Sequence, residues 1–289
     1  MSAFDIRPLT RWTGAEIFGP DLTGPIGEEL AAALRDALAS WQVIFLPDQH
    51  LDIPAQKRLT QVFGPLERCP YVVPMDDEPD VIAVLKEAGE VNVGVFGGDW
   101  HSDFSFLPVP PLGSVLNAVE VPPFGGDTLW ANQVAALDAL SADLRAEIDG
   151  RDAIHIGKPY GVSHAPKEEE RSGGSIRMVR DDPQADREMP HPAIRIDPVS
   201  GKPALNFNPT YALRLSGRTE AESAPILDAI QRHTTRPEFC VRHRWRAGTV
   251  AVWNNYTTMH YAVNDYDGHR RLMYRTTFGI ADDRQTSPS

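Results

Sequence analysis

Residues 240–253 read "CVRHRWRAGTVAVW": two short β patterns, "CVRHRW" and "TVAVW", with turn residues between them. Similar short patterns stand on both sides, "RLMYRTTFGI" (271–280) after it and "PAIRID" (192–197) and "ALNFN" (204–208) before it. Farther upstream, "VIFLP" (43–47), "DVIAVLKE" (80–87) and "SVLNAVEV" (114–121) read as strands as well. Many short strands separated by turns predict a mostly β protein, a sandwich or jelly roll, with flanking helices. The helices are expected at 27–42, at 52–64 with Asp52 as N-cap and Gly64 at the stop, at 141–150, and at about 222–236. From 151 to about 190 the composition turns polar, charged and rich in Gly and Pro, so residues 157–190 are expected to form a mobile insert or lid on a single domain spanning 1–289.

Composition bounds the function. With 289 residues and 42% hydrophobic residues the chain can bury a substantial core. A formal net charge of −12 argues against nucleic acid or an anionic membrane as the main partner. No run reaches the roughly 18 apolar residues of a spanning helix, and "MSAFDIRPLTRW" lacks the apolar segment of a secretory signal. The two cysteines, Cys69 and Cys240, form neither a disulfide framework nor a zinc motif. The expectation is a cytoplasmic protein.

Two His-x-Asp pairs occur. In His50-Leu51-Asp52 the aspartate already has a local task as a helix cap. The second pair lies in "GGDWHSDFSF" (97–106), behind glycines and with no helix start to serve. On a strand, residues two apart point to one side, so His101 and Asp103 are expected to reach one ion from a single strand. Two imidazoles and one carboxylate on one face of a metal leave open positions for ligands and O₂, the pattern of a non-haem ferrous site. His260, after the strand "TVAVW" and among turn residues, is the candidate third ligand.

"WHSDFSF" (100–106), "PPFGGDTLW" (122–130) and "WNNYTTMHYAVNDYDGHRRLMYRTTFG" (253–279) resemble the TauD/TfdA family of Fe(II)- and 2-oxoglutarate-dependent dioxygenases. The likeness runs from "WQVIFLPDQHL" and "FGPL" to the last strand pattern and leaves out the insert. It implies a double-stranded β-helix (jelly-roll) core and a homo-oligomer, dimer or tetramer. It also implies His101, Asp103 and His260 as the catalytic metal ligands, with Fe(II), 2-oxoglutarate and O₂ as cofactor and cosubstrates. Thr128 and Arg271 are implied to bind the distal carboxylate of 2-oxoglutarate, a task suited to a guanidinium fork and a hydroxyl.

Arg271 and Arg275 share one strand face, about 13 Å apart along it. Buried arginines require partners, so Arg275 is assigned to an anionic group of the primary substrate, while Arg270 points outward to solvent. Members acting on taurine carry a His and a Tyr after "FG.L" and an Asn four residues before the first iron ligand. Here Cys69, Val72 and Gly97 stand at those places, and Phe96, Phe104 and Phe106 are candidates to line the gap. A less polar organic anion than taurine (a sulfonate, aryloxy acid or other carboxylate) is the expected substrate. Its hydroxylation would release succinate and CO₂, with loss of a leaving group where the carbon bears a heteroatom. "WNN" replaces the usual "WDN", altering hydrogen bonding at Asn254. A zinc-type hydrolase and a cupin-like organic-acid binding protein are the alternatives on the same His-Asp-His set.

Overall fold

The computed structural model describes residues 4–166 and 174–280. Its centre is an eight-stranded sheet. Along it run Asp5–Pro8, Ala15–Phe18, Val43–Leu46, Val250–Asn254, Gly113–Glu120, Arg271–Phe278 and Leu66–Glu67, and Ile82–Lys86 also pairs with Arg271–Phe278. A three-stranded sheet, Cys240–His243, Thr128–Asn132 and Thr258–Ala262, closes over one face. This is the jelly-roll core that the β patterns predict.

The apolar runs "VIFL" and "VAVW" are continuous because both faces of the large sheet are covered, and the pleat divides their side chains. Ile44, Leu46, Val250 and Val252 face outward and pack with Leu34, Leu38, Ala55 and Leu59 of helices Glu28–Trp41 and Ile53–Phe63. Val43, Phe45, Ala251 and Trp253 face inward, onto Trp130 and Trp245 of the smaller sheet side. Each fully buried leucine or valine stabilises this stack by about 1.5–3 kcal/mol. Gly113 is a point of close approach: a Cβ there would lie 2.3 Å from the Trp253 carbonyl oxygen and from Phe278.

Helix Ile53–Phe63 starts as its sequence requires, with the Asp52 side chain accepting from the Ala55 N–H at 2.8 Å. The expected helix at 222–236 runs instead over Glu220–Thr234, because Thr219 and Glu222 form a reciprocal capping box two residues earlier. Among the described residues no helix is long and apolar enough to cross a membrane.

The predicted insert is tied to the body in its described parts. Asp152–His155 pairs with Met189–Pro192 and Ala212–Leu215. Val72 forms a bridge with Met178, and the Val179 N–H donates to the Tyr71 carbonyl at 3.0 Å. Ser175 Oγ donates to Glu90 at 2.6 Å. The remainder of the insert, 167–173, lies outside the described residues.

Candidate active site

His101 and Asp103 do not converge by strand pleat. His101 makes only an isolated antiparallel bridge to His260, through paired backbone hydrogen bonds of 3.0 and 2.7 Å, and the chain then turns over 103–106. The reason is a clamp from a distant segment. Asn255 Oδ1 accepts the Asp103 N–H at 2.6 Å, while its Nδ2 donates to the Asp103 and Pro111 carbonyls at 2.9 and 3.0 Å. Phe104 consequently sits at φ +48°, the left-handed region that bulky residues rarely occupy. His260 is likewise not in a turn: it lies on strand Thr258–Ala262, in register with Trp130.

These segments bring His101, Asp103 and His260 together, all buried, with ligand atoms within 4.8 Å of one another. The Nε2 atoms of His101 and His260 stand 3.6 and 3.7 Å from Asp103 Oδ1, too far for hydrogen bonds. His101 Nδ1 lies 2.7 Å from the Asp99 carbonyl, which can only accept, so Nδ1 carries the proton and Nε2 presents a lone pair. Burial, and then the neighbouring His101, push the His260 pKa well below the usual imidazole range. Burial would raise the Asp103 pKa, but the Arg275 guanidinium outweighs it and holds the carboxyl well below its usual range. Two imidazoles and an ionised carboxylate, pointed at one another without direct hydrogen bonds, fit a divalent metal ion.

Arg275 is buried against this carboxylate. Its Nη2 is 2.8 Å from Asp103 Oδ2 and donates to Ser114 Oγ at 3.1 Å. Its Nε has no hydrogen-bond partner among the described residues. The same side chain lines a cavity of about 320 Å³ with Cys69, Val72 and Thr277. Burial raises the Cys69 thiol pKa, and its sulfur lies 3.5 Å from Thr277 Oγ1. Gly97 is placed elsewhere, beside the imidazole. Its φ is +78°, and a Cβ there would come within 3.0 Å of His101 Cε1.

Thr128 and Arg271 border a narrow space between the sheets that also reaches His101, His260 and Arg275. Thr128 Oγ1 accepts from Trp245 Nε1 at 2.9 Å. The Arg271 guanidinium stands 5.9 Å from the Trp245 ring and 6.0 Å from the Tyr266 ring. Its Nε is buried without a hydrogen-bond partner, and burial lowers its pKa. A cation so placed favours an incoming anion. Arg270 faces outward and pairs with Glu87 and Glu120 at the surface.

A larger cavity of about 400 Å³ opens beside His101 and Asp103, lined by Gly97, Phe96, Phe104, Tyr160, Tyr211 and Arg180 among others. Phe106 stays behind this wall, in the core cluster with Tyr71.

Several residues here have roles that the sequence analysis does not assign. Asn255, rather than Asn254, reaches the metal turn; Asn254 Oδ1 caps the Tyr256 N–H at 2.8 Å. The adjacent "WNN" motif was the available signal. Trp245 closes the strand pattern "CVRHRW", but nothing local shows that its indole meets Thr128. Tyr160 lies inside the insert, where a polar composition hides it.

The sequence matches the family described as taurine catabolism dioxygenase TauD, TfdA over residues 5–277. It is 34% identical to an alpha-ketoglutarate-dependent sulfate ester dioxygenase of Pseudomonas putida, over 94% of this chain and 88% of that protein. It is 32% identical to an alkylsulfatase of Acinetobacter baylyi, over 94% of this chain and 84% of the relative. Among solved structures, a taurine dioxygenase from Burkholderia xenovorans superposes with a TM-score of 0.77 at 31% identity, covering 97% of this chain and 92% of the other.

Proposed function

This chain belongs to the taurine catabolism dioxygenase TauD, TfdA family, and from that premise we propose that His101, Asp103 and His260 hold the iron, Thr128 and Arg271 hold the distal carboxylate of 2-oxoglutarate, and Arg275 meets the anionic group of a small organic substrate. The enzyme is an Fe(II)- and 2-oxoglutarate-dependent dioxygenase. When bound, iron and cosubstrate supply the oxidising power that hydroxylates an unactivated C–H as 2-oxoglutarate is converted to succinate and CO₂.

The protein's share is binding, orientation and exclusion of water. Asp99 fixes the His101 tautomer through its carbonyl, and Asn255 fixes the turn that carries Asp103. Trp245 occupies a lone pair of Thr128, leaving the hydroxyl proton to point at a carboxylate beside Arg271. Arg275 has donors to spare: one nitrogen serves Asp103 and Ser114, and Nε remains for an anion. With Cys69 and Val72 beside it, this end of the site supplies few polar contacts beyond Arg275. That supports a less polar anion than taurine, such as a sulfate ester, a longer sulfonate or an aryloxy acid.

The observation that carries the reading is the space shared by the two imidazoles, Thr128 and Arg271. The hydrolase and cupin-like alternatives give Thr128 and Arg271 nothing to do and lack the support of the family match.

The test is anaerobic titration of metal-free protein with Fe(II) and then 2-oxoglutarate, following the visible charge-transfer band of a chelated oxo-acid. A band in wild type that Arg271→Ala weakens supports the assignment. Iron binding without any band on addition of 2-oxoglutarate overturns it. Succinate release across a panel of sulfate esters, sulfonates and aryloxy acids then identifies the substrate.

A further inference from the structure

The wall of the large cavity next to Asp103 is aromatic and built to be rigid. Tyr160 stacks on Phe104 (5.9 Å between centroids, 18° between planes) and on Tyr71 (4.8 Å, 22°). Tyr211 packs on Phe106 at 5.0 Å. The backbone holds each ring in place: the Tyr160 N–H donates to the Gly157 carbonyl at 2.8 Å, and its carbonyl accepts from Asp182 at 3.0 Å. The Tyr211 N–H donates to Asn208 Oδ1 at 2.9 Å. Asn208 in turn donates to Ser105 Oγ at 3.0 Å, and Ser105 bonds to buried His155 at 2.9 Å. Phe104, in its strained backbone conformation, completes the wall. Strain that persists in a well-determined environment is typical of functional surfaces.

Tyr160 and Tyr211 both line the large cavity, and both side chains are almost wholly buried. Burial keeps both phenols protonated far above neutrality. Two hydroxyls carry two protons, and the pair can share at most one of them between themselves. The second is left for a ligand in the cavity that both residues line.

We propose that the Tyr160–Tyr211 hydroxyl pair is a specificity element that donates a hydrogen bond to an uncharged oxygen of the primary substrate, the bridging oxygen of an ester or ether. This inference rests on the organic-anion function proposed above. An uncharged acceptor suits the pair better than an anionic one, because a neutral phenol brings no charge to offset the desolvation of an anion. Arg275 remains for the charged end of the substrate. A site that hydrogen-bonds a substrate oxygen discriminates strongly against the analogue without it, since its own donor is then left unpaired.

The test compares hexyl sulfate, which has a bridging oxygen, with hexane-1-sulfonate, which has none. Binding is measured by anaerobic calorimetry on enzyme loaded with Mn(II) and 2-oxoglutarate, for wild type, Tyr160→Phe, Tyr211→Phe and the double variant. Wild type is expected to prefer the sulfate by about ten-fold, the size of one good buried hydrogen bond. The variants should lose most of that preference while binding 2-oxoglutarate as wild type does. Should wild type and the double variant show the same preference, the inference is overturned and the organic-anion function stands. Should wild type bind 2-oxoglutarate but neither probe nor any other member of the panel, the organic-anion reading falls and this inference with it.

Discussion

Arg275 and the metal ion compete to neutralise one carboxylate, and this makes an unusual prediction for Arg275→Met. The Arg275–Asp103 pair is 2.8 Å long, and both side chains are almost wholly inaccessible. Removing one partner of a buried pair leaves an uncompensated charge and costs about 3–5 kcal/mol. For a domain of this size that corresponds to a fall in Tm on the order of 10 °C for the metal-free protein. When Mn(II), which is redox-inert here, is bound, the ion itself compensates Asp103. The loss should then shrink to about half, which by linkage means that the variant binds Mn(II) about ten- to sixty-fold tighter than wild type does. Urea unfolding of both proteins, with and without Mn(II), yields the four free energies of this cycle. An equal or larger destabilisation in the presence of metal would refute the idea that Arg275 and the metal share Asp103. A destabilisation under about 1 kcal/mol without metal would refute the buried pair itself.

Two other predictions concern what holds the site. Asn255→Leu strips partners from the Asp103 backbone N–H and carbonyl and should cost about 3 kcal/mol, with weaker metal binding. Urea unfolding and Mn(II) calorimetry measure both effects, and a cost under about 1 kcal/mol would show that the turn stands without its clamp. His155 is fully buried, accepting from Ser105 and donating to the Asn206 carbonyl at 3.1 Å. Burial first, then His191 and Arg195, hold its pKa at about 3. The folded value is below the unfolded one, about 6.5, so as pH falls below 6.5 the unfolded state takes up the proton and stability is lost, down to about pH 3. The loss attributable to this group at pH 5 is about 2 kcal/mol. His155→Gln should be less stable at pH 7.5 yet lose about 2 kcal/mol less than wild type between pH 7.5 and 5. Identical losses in the two proteins would rule out His155 as the responsible group.

What could be read from the sequence was what local chemistry determines. Asp52 caps its own helix three residues away, so "HLD" at 50–52 separates from "HSD" at 101–103 without any tertiary information. The doubly buried strands "VIFL" and "VAVW" announce themselves by composition. The turn at 103–106 does not, because the group that bends it, Asn255, is 152 positions away in sequence. The Arg275–Asp103 pair is similarly remote. Alternation along "RLMYRTTF" places Arg271 and Arg275 inward, but alternation cannot say which anion each will meet. The Tyr160–Tyr211 pair combines both obstacles. One member lies in a polar insert, the other among turn residues, and neither belongs to a periodic pattern.

The origin of the site's two sides suggests a division of labour. His260, Thr128, Arg271 and Arg275 stand on strands Thr258–Ala262, Thr128–Asn132 and Arg271–Phe278, in the middle of a core packed on both faces. Their positions are fixed by sheet register, so His260, the pair proposed for 2-oxoglutarate and the arginine proposed for the substrate's charged end cannot shift without moving the core. Phe104, Tyr160, Tyr211 and Met178 come instead from turns and the insert, held by individual hydrogen bonds and ring contacts. Loop segments accept substitution at far lower cost than strands buried on both faces. Such a framework can retain one oxidation chemistry while its substrate wall varies, which accounts for relatives named for sulfate esters and for taurine superimposing on or aligning with nearly the whole of this chain. Substrate choice in this enzyme should therefore change with Tyr160 and Tyr211 long before the affinity for 2-oxoglutarate does.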